Sequence, residues 1–148
     1  DCKVLTSIVI PSGVTSIGDN AFSGCIKLES VSIPNSVTKI GDNAFFFCPQ
    51  IVSITIPDCV TTIGKSAFYC CNALTYLTIS KNVTSIGGSA FYGCGSLNLV
   101  KMKKKTAVAI DGITFVNQGN ATLSVPFGSK DAYEAAEYWR DFKEIIEE

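Results

Sequence analysis

The chain reads as a repeat solenoid: coils of 23 residues with parallel strands on an inner face, a short strand and a single helical turn on the outer side, and a small C-terminal helical cap. Three observations predict this. Four segments align without a gap: LTSIVIPSGVTSIGDNAFSGCIK from Leu5, LESVSIPNSVTKIGDNAFFFCPQ from Leu28, IVSITIPDCVTTIGKSAFYCCNA from Ile51 and LTYLTISKNVTSIGGSAFYGCGS from Leu74. Ala-Phe returns at 21–22, 44–45, 67–68 and 90–91; a fixed period of this size marks stacked repeats. Finally, 47% of the 148 residues are hydrophobic and 17% are charged, so apolar surface is abundant, and one domain of this length buries a large core.

Each element follows in order from the first repeat. In LTSIVIP, Leu5, Ile8 and Ile10 point one way and Thr6, Ser7 and Val9 the other, as a half-buried strand requires. Pro11 ends the strand because it has no N–H to give to a ladder. A second extended piece, VTSI, turns Val14 and Ile17 inward. Gly18 is expected to supply a backbone conformation that side chains resist. Asp19 and Asn20 suit the start of a helical turn that packs Ala21 and Phe22 inside and ends near Gly24 and Cys25. A unit this short buries its apolar face only by stacking on its neighbours. Stacking at strand spacing, about 4.8 Å, predicts an aromatic spine of Phe22, Phe45, Phe68 and Phe91 beside an aliphatic row of Ile17, Ile40, Ile63 and Ile86.

The pattern blurs in the fifth repeat. Val100 and Met102 hold strand positions, Lys103 replaces the proline, and the stretch 103–122 is irregular. AIDGITF (109–115) resembles the turn segment shifted by one residue, with Ile110 and Phe115 inside. LSVP restores the register with Leu123, Val125 and Pro126 as a sixth strand. Residues 1–126 therefore read as solenoid and 127–148 as a cap: Ser129 as helix N-cap, Asp131 in the first turn, and Tyr133, Ala136, Trp139, Phe142, Ile145 and Ile146 as its apolar face. Eight of the 13 acids and seven of the 12 bases lie after Val100, in keeping with a polar-faced cap. The chain opens inside a repeat, just before Cys2, which points to a piece of a longer array.

Cys25, Cys48, Cys71 and Cys94 share one register, and a further step back reaches Cys2. Buried free cysteine behaves as a small hydrophobe, and inert core thiols are the reading we adopt. A strand-spaced ladder fits disulfide geometry poorly. With no histidine in the chain, zinc sites of the usual spacing and a Cys–His catalytic pair are both disfavoured. Cys59 and Cys70 lie off the ladder, on outer turns, and are the exposed thiols to expect. No catalytic, cofactor or metal residues are assigned. A net charge of −1 argues against nucleic-acid binding, and no apolar run approaches the roughly 20 residues that cross a bilayer. The opening DCKVLTSIVI lacks the basic stretch and long apolar core of a signal peptide, so any leader is expected outside this sequence.

The pattern LxxIxIPxxVTxIGxxAFxxCxx resembles the BspA-like (Treponema-type) leucine-rich repeat. The ending LSVPFGSKDAYEAAEYWRDFKEII resembles the closing segment of such proteins from anaerobic gut and oral bacteria. The resemblance covers nearly the whole chain. The departures are Ser80 and Lys103 for Pro, Lys65 and Gly88 for the turn Asp, and the irregular stretch 103–122. It implies a secreted or cell-surface protein involved in adhesion to host proteins or other bacteria, and it carries no catalytic residues.

Three candidate faces follow. The inner strands present outward rows containing Glu29, Ser32, Ser53, Thr55, Tyr76, Thr78, Leu99 and Lys101, with Tyr76 as the natural anchor. Serine and threonine also suit strands with no partner at all. Phe46, Phe47, Tyr69 and Tyr92 form a possible aromatic edge, for which folding back over the turns is the reading we prefer. KMKKK (101–105) suits an acidic partner, or is a solvated turn. Asn82 and Asn120 begin glycosylation sequons, which matter only in a eukaryotic secretory pathway. The expected function is a monomeric, non-enzymatic module that binds host matrix or bacterial surface proteins. The alternatives are a structural spacer and a carbohydrate-binding module.

Overall fold

A computed structural model describes residues 2–116 and 118–148. Asp1 and Asn117, both in the stretch read as solenoid, lie outside the described residues. In chain order the strands are β1 (Ser7–Val9), β2 (Ser16–Ile17), β3 (Ser30–Ser32), β4 (Lys39–Ile40), β5 (Ser53–Thr55), β6 (Thr62–Ile63), β7 (Tyr76–Ile79), β8 (Ser85–Ile86), β9 (Leu99–Met102), β10 (Thr122–Val125) and β11 (Glu144–Glu147), with a helix α1 (Lys130–Glu134) before β11. Every pairing among them is parallel, and within the repeats the register steps by 23: Ser7 lies opposite Ser30, Ile17 opposite Ile40, Ser53 opposite Tyr76. The outer sheet runs β2-β4-β6-β8. The inner strands form a pair, β1-β3, and a five-stranded sheet, β5-β7-β9-β10-β11.

Side-chain ladders reinforce the backbone ones. The hydroxyls of Thr38, Thr61 and Thr84 each donate to the carbonyl of the equivalent Thr one coil earlier, at 3.1, 3.3 and 3.2 Å. The carboxylates of Asp19 and Asp42 accept the amides of Asp42 and Lys65, both at 2.8 Å. Asp19 therefore clips one coil to the next and does not start a helix. The segment read as a helical turn is a run of turns, closed by bonds such as Ala21 N–H to Gly18 O and Ser23 N–H to Asn20 O. Alternate amides in it reach into the following coil: Asn20 to Asp42 O, Phe22 to Ala44 O and Gly24 to Phe46 O, at 2.8–2.9 Å.

The glycine expectation needs a correction. The left-handed backbone of each coil falls at the positions of Asn20 (φ 57°) and Gly24 (φ 72°), not at Gly18. Gly18's equivalents are required by crowding. A Cβ on Gly64 would sit 2.5 Å from the Gly41 carbonyl carbon, and one on Gly87 2.4 Å from the Lys65 nitrogen.

Between the sheets lies the aromatic spine. Phe22, Phe45, Phe68, Phe91 and Phe115 stack with centroids 5.2–5.4 Å apart and planes within 12° of parallel. The one-residue shift of the fifth coil is visible here, since Phe91 bridges Phe115, 24 residues on. Ile17, Ile40, Ile63 and Ile86 are buried in their row, as are the four ladder cysteines. Ile110 is only half-buried.

The closing segment departs from the expected helix over its whole length. α1 spans Lys130–Glu134, and Ile145 and Ile146 lie in β11, which pairs in parallel with β10. Alternation then governs: Ile145 is buried and Ile146 exposed. Ser129 does not cap α1. Its hydroxyl turns back to the Pro126 carbonyl, and the Glu147 carboxylate accepts the amides of Ser129 and Lys130 at 3.0 and 2.9 Å. Tyr133 and Trp139 are buried edge-to-face, and Trp139 and Phe142 end the spine against Phe115. Their polar atoms hold the irregular stretch in place: Tyr133 Oη donates to Lys104 O at 2.8 Å, and Trp139 Nε1 to Val108 O at 2.7 Å.

Candidate binding faces

The inner strands alternate strictly, because a strand covered on one face only must do so. Ile54, Leu77 and Val100 are buried, while their outward neighbours form continuous rows across the sheet. One row runs Ser53, Tyr76, Leu99 and Thr122; the next runs Thr55, Thr78, Lys101 and Ser124. Glu29, Ser32, Ser53 and Thr55 are exposed, and Thr78, Leu99 and Lys101 are half-buried. Tyr76 is 54% exposed, an aromatic ring standing out from these strands, and Val9 of β1 is 77% exposed. Strands β3 and β5 do not pair, and between them opens a hollow of about 480 Å³ lined by Ser32, Ser53, Thr55, Asp58 and Lys103.

The aromatic edge is ordered and partly covered, with Phe46 and Tyr69 half-buried and Tyr92 exposed. Phe46, Tyr69 and Tyr92 stack in register at 4.9 and 5.0 Å, so each ring face but the outermost is covered by a neighbour. Phe47 stands apart from the stack. It occupies a left-handed position (φ 55°) and is 50% exposed.

The lysine run does not project freely as a unit. Lys101 pairs with Glu148, and Lys104 Nζ donates to Lys81 O at 3.3 Å. Lys101, Lys103 and Glu148 line a second hollow, of about 200 Å³, together with Ser124 and Pro126. Lys101 holds the Glu148 carboxyl below its usual range. Ser124 should be exposed by its place in the row, yet it is buried, because β11 extends the sheet beyond it. Its Oγ and that of Ser80 are the buried hydroxyls without a hydrogen-bond partner among the described residues.

The ladder thiols are structural. Cys48, Cys71 and Cys94 point their Sγ atoms at the carbonyls of Phe22, Phe45 and Phe68, at 3.1–3.5 Å. Burial pushes Cys48 up to about 11 and Cys94 up to about 12, and it raises Cys25 and Cys71 as well. Thiolate chemistry is suppressed at such sites. All seven cysteines are free, with Cys2 and Cys59 exposed and Cys70 half-buried. Among the described residues no group of three His, Cys, Asp or Glu side chains is placed to hold a metal, and no helix is long and apolar enough to cross a membrane.

The family model for the BspA-type leucine-rich repeat region matches residues 1–122, in six copies. The chain belongs to the BspA-type leucine-rich-repeat family. No curated protein matches it. Among solved structures, the pneumococcal vaccine antigen PcpA superposes with a TM-score of 0.77 at 26% identity, over 97% of this chain and 36% of that one. The T. pallidum leucine-rich repeat protein gives 0.68 at 26% identity, over 98% and 57%. A leucine-rich repeat protein from Bacteroides ovatus gives 0.65 at 28% identity, over 74% and 30%. This chain thus spans between 30% and 57% of the length of those relatives.

In the repeat pattern the fixed apolar positions of the central coils are buried, among them Leu28, Ile40, Phe45 and Cys48, while its fixed threonine is exposed and bonds from coil to coil. The inner-face candidates fall at its open positions, where packing does not dictate the residue. Family membership therefore accounts for the scaffold and does not dictate the residues of those rows. Sequence reasoning missed the hollow around Ser124, because it read the last strand as helix.

Proposed function

We propose that this BspA-type chain is a non-enzymatic protein-binding module, secreted or displayed on a bacterial surface, and that it engages a host or bacterial protein through its inner strand face. One observation carries the reading: Tyr76 stands 54% exposed on a hydrogen-bonded sheet, between Ser53 and Leu99. Exposed aromatics anchor interfaces because they bury large area at little entropic cost. A sheet locked by parallel ladders pays little further ordering cost on binding. The surface placement draws support from the similarity to the pneumococcal vaccine antigen. The aromatic edge is the weaker candidate, since its rings already cover one another.

The test is a binding screen of the purified chain against matrix proteins, bacterial surface proteins and a glycan panel, alongside the double variant Thr55→Arg plus Tyr76→Ala. The double variant is expected to lose a wild-type protein partner by about tenfold or more, as the loss of an anchor residue implies. A partner retained by the variant would move the site off the inner face, and displacement by free sugar would make the chain a lectin. An empty screen would favour the spacer role.

A further inference from the structure

The hollow beside Lys101 is built differently from the rest of the surface. It brings together Ser124, whose buried Oγ has no full hydrogen bond among the described residues, with Lys103 and the Lys101–Glu148 ion pair. The three glutamates of the last strand and its end are not equivalent. Glu144 accepts a hydrogen bond from Thr122 Oγ1 at 3.1 Å, and Glu147 accepts the two amides that begin α1. The Glu148 carboxylate instead pairs with Lys101 at the surface, while its backbone is bonded to Val125 and Phe127. Exposed pairs of this kind contribute little, so this carboxylate is easily displaced. Ser124 lies beside the Glu148 carboxyl and helps Lys101 to hold it below its ordinary value, while its Oγ has no partner of full hydrogen-bond geometry among the described residues.

We propose that this hollow receives an acidic side chain of a bound, extended peptide, and that Glu148 occupies that place in the free protein. The inference rests on the protein-binding reading and assigns it a partner chemistry. Once the incoming carboxylate displaces Glu148, it takes the Lys101 and Lys103 ammonium groups and the Ser124 hydroxyl together. Burial of Ser124 Oγ then becomes favourable, because a buried hydroxyl without a partner is costly. Lys103 also lines the larger hollow with Thr55 and Asp58, so a strand laid over Lys103 touches both hollows and the inner face at once. Lys104 and Lys105 add positive charge along the same edge, which favours an acidic segment at long range.

The experiment is fluorescence anisotropy with a labelled hexaglutamate peptide in about 0.15 M salt, where long-range attraction is screened. Glu148→Gln is expected to bind the probe about two- to fivefold more tightly, the factor that corresponds to one exposed ion pair. Glu144→Gln makes the same change in net charge away from the hollow and is expected to match wild type. Lys103→Ala is expected to weaken binding about tenfold, as the loss of one charge-assisted contact implies. An equal gain in the two glutamate variants, or no effect of Lys103→Ala, would reduce the site to general electrostatics and overturn the proposal. A sulfated polysaccharide that binds more tightly than the peptide, with the same variant pattern, would replace the ligand class and overturn it too. If these variants fail while Thr55→Arg plus Tyr76→Ala still abolishes a protein partner, this inference falls and the protein-binding reading stands.

Discussion

At the residue scale the cysteines show how position sets chemistry. Cys70 and Cys71 are neighbours in sequence, yet one lies on the half-buried outer turn and the other is fully enclosed. A thiol reagent at pH 8 is therefore expected to modify Cys2 and Cys59 at once, Cys70 more slowly, and Cys25, Cys48, Cys71 and Cys94 only on unfolding; mass spectrometry of native and denatured protein checks this. Modification of the four ladder thiols at the rate of Cys59 in native protein would mean that the coils are not stacked as described. Stability should also respond to alkali. Unfolding exposes thiols that ionise near pH 9, whereas the folded chain holds Cys48 protonated to about 11 and Cys94 to about 12. Above pH 9 the unfolded state thus binds fewer protons, and stability falls as pH rises, by about 1.4 kcal/mol per pH unit for each such thiol. Denaturation midpoints measured between pH 8 and 11 should show the fall.

At the scale of one coil the deciding feature is close approach. Gly64 faces the Gly41 carbonyl carbon and the Asp42 nitrogen, so the methyl of Gly64→Ala can be accommodated only by parting two coils. The cost is expected to exceed about 2 kcal/mol, the range for overpacking a rigid interior. Gly13→Ala is the control, because its Cβ meets nothing within 4 Å and its backbone is not left-handed. It is expected to be neutral or stabilising by up to about 1 kcal/mol. Urea denaturation of the two variants separates these outcomes. The sequence made the glycine conspicuous but not its reason, since the interfering atoms belong to a coil 23 residues away. The phenylalanine spine was legible for the opposite cause: with strands in register, the period alone superimposes equivalent side chains. The last strand was not legible. Tyr133, Ala136, Trp139, Phe142 and Ile145 fall at helical spacing, and only pairing with β10 makes a strand of the end. The Ser124 hollow depends on that pairing, and so it was hidden as well.

At the scale of the molecule the closing segment acts as a plug. Trp139 fills the end of the spine and fixes Val108, and Tyr133 fixes Lys104. Trp139→Ala is expected to cost about 3–5 kcal/mol, as for other large aromatic truncations in cores. The damage should be local, because stability in stacked repeats propagates between neighbours. Hydrogen exchange should show lost protection at 104–110 and 139–147, with residues 28–70 close to wild type. Uniform loss along the chain would mean that the coils unfold as one unit.

The ladders have a consequence for how such a chain can change over generations. The threonine, cysteine and phenylalanine threads that cross from coil to coil each use the same residue in the same place, so one coil presents to the next the surface it receives from the one before. An in-frame duplication or loss of a whole coil leaves each thread intact, and length becomes a property that heredity can adjust almost without penalty. A change of a single residue is another matter. The stacking offset of 24 between Phe91 and Phe115 shows what it takes to absorb one: a coil with no outer strand among its described residues, braced by a tyrosine and a tryptophan from the end of the chain.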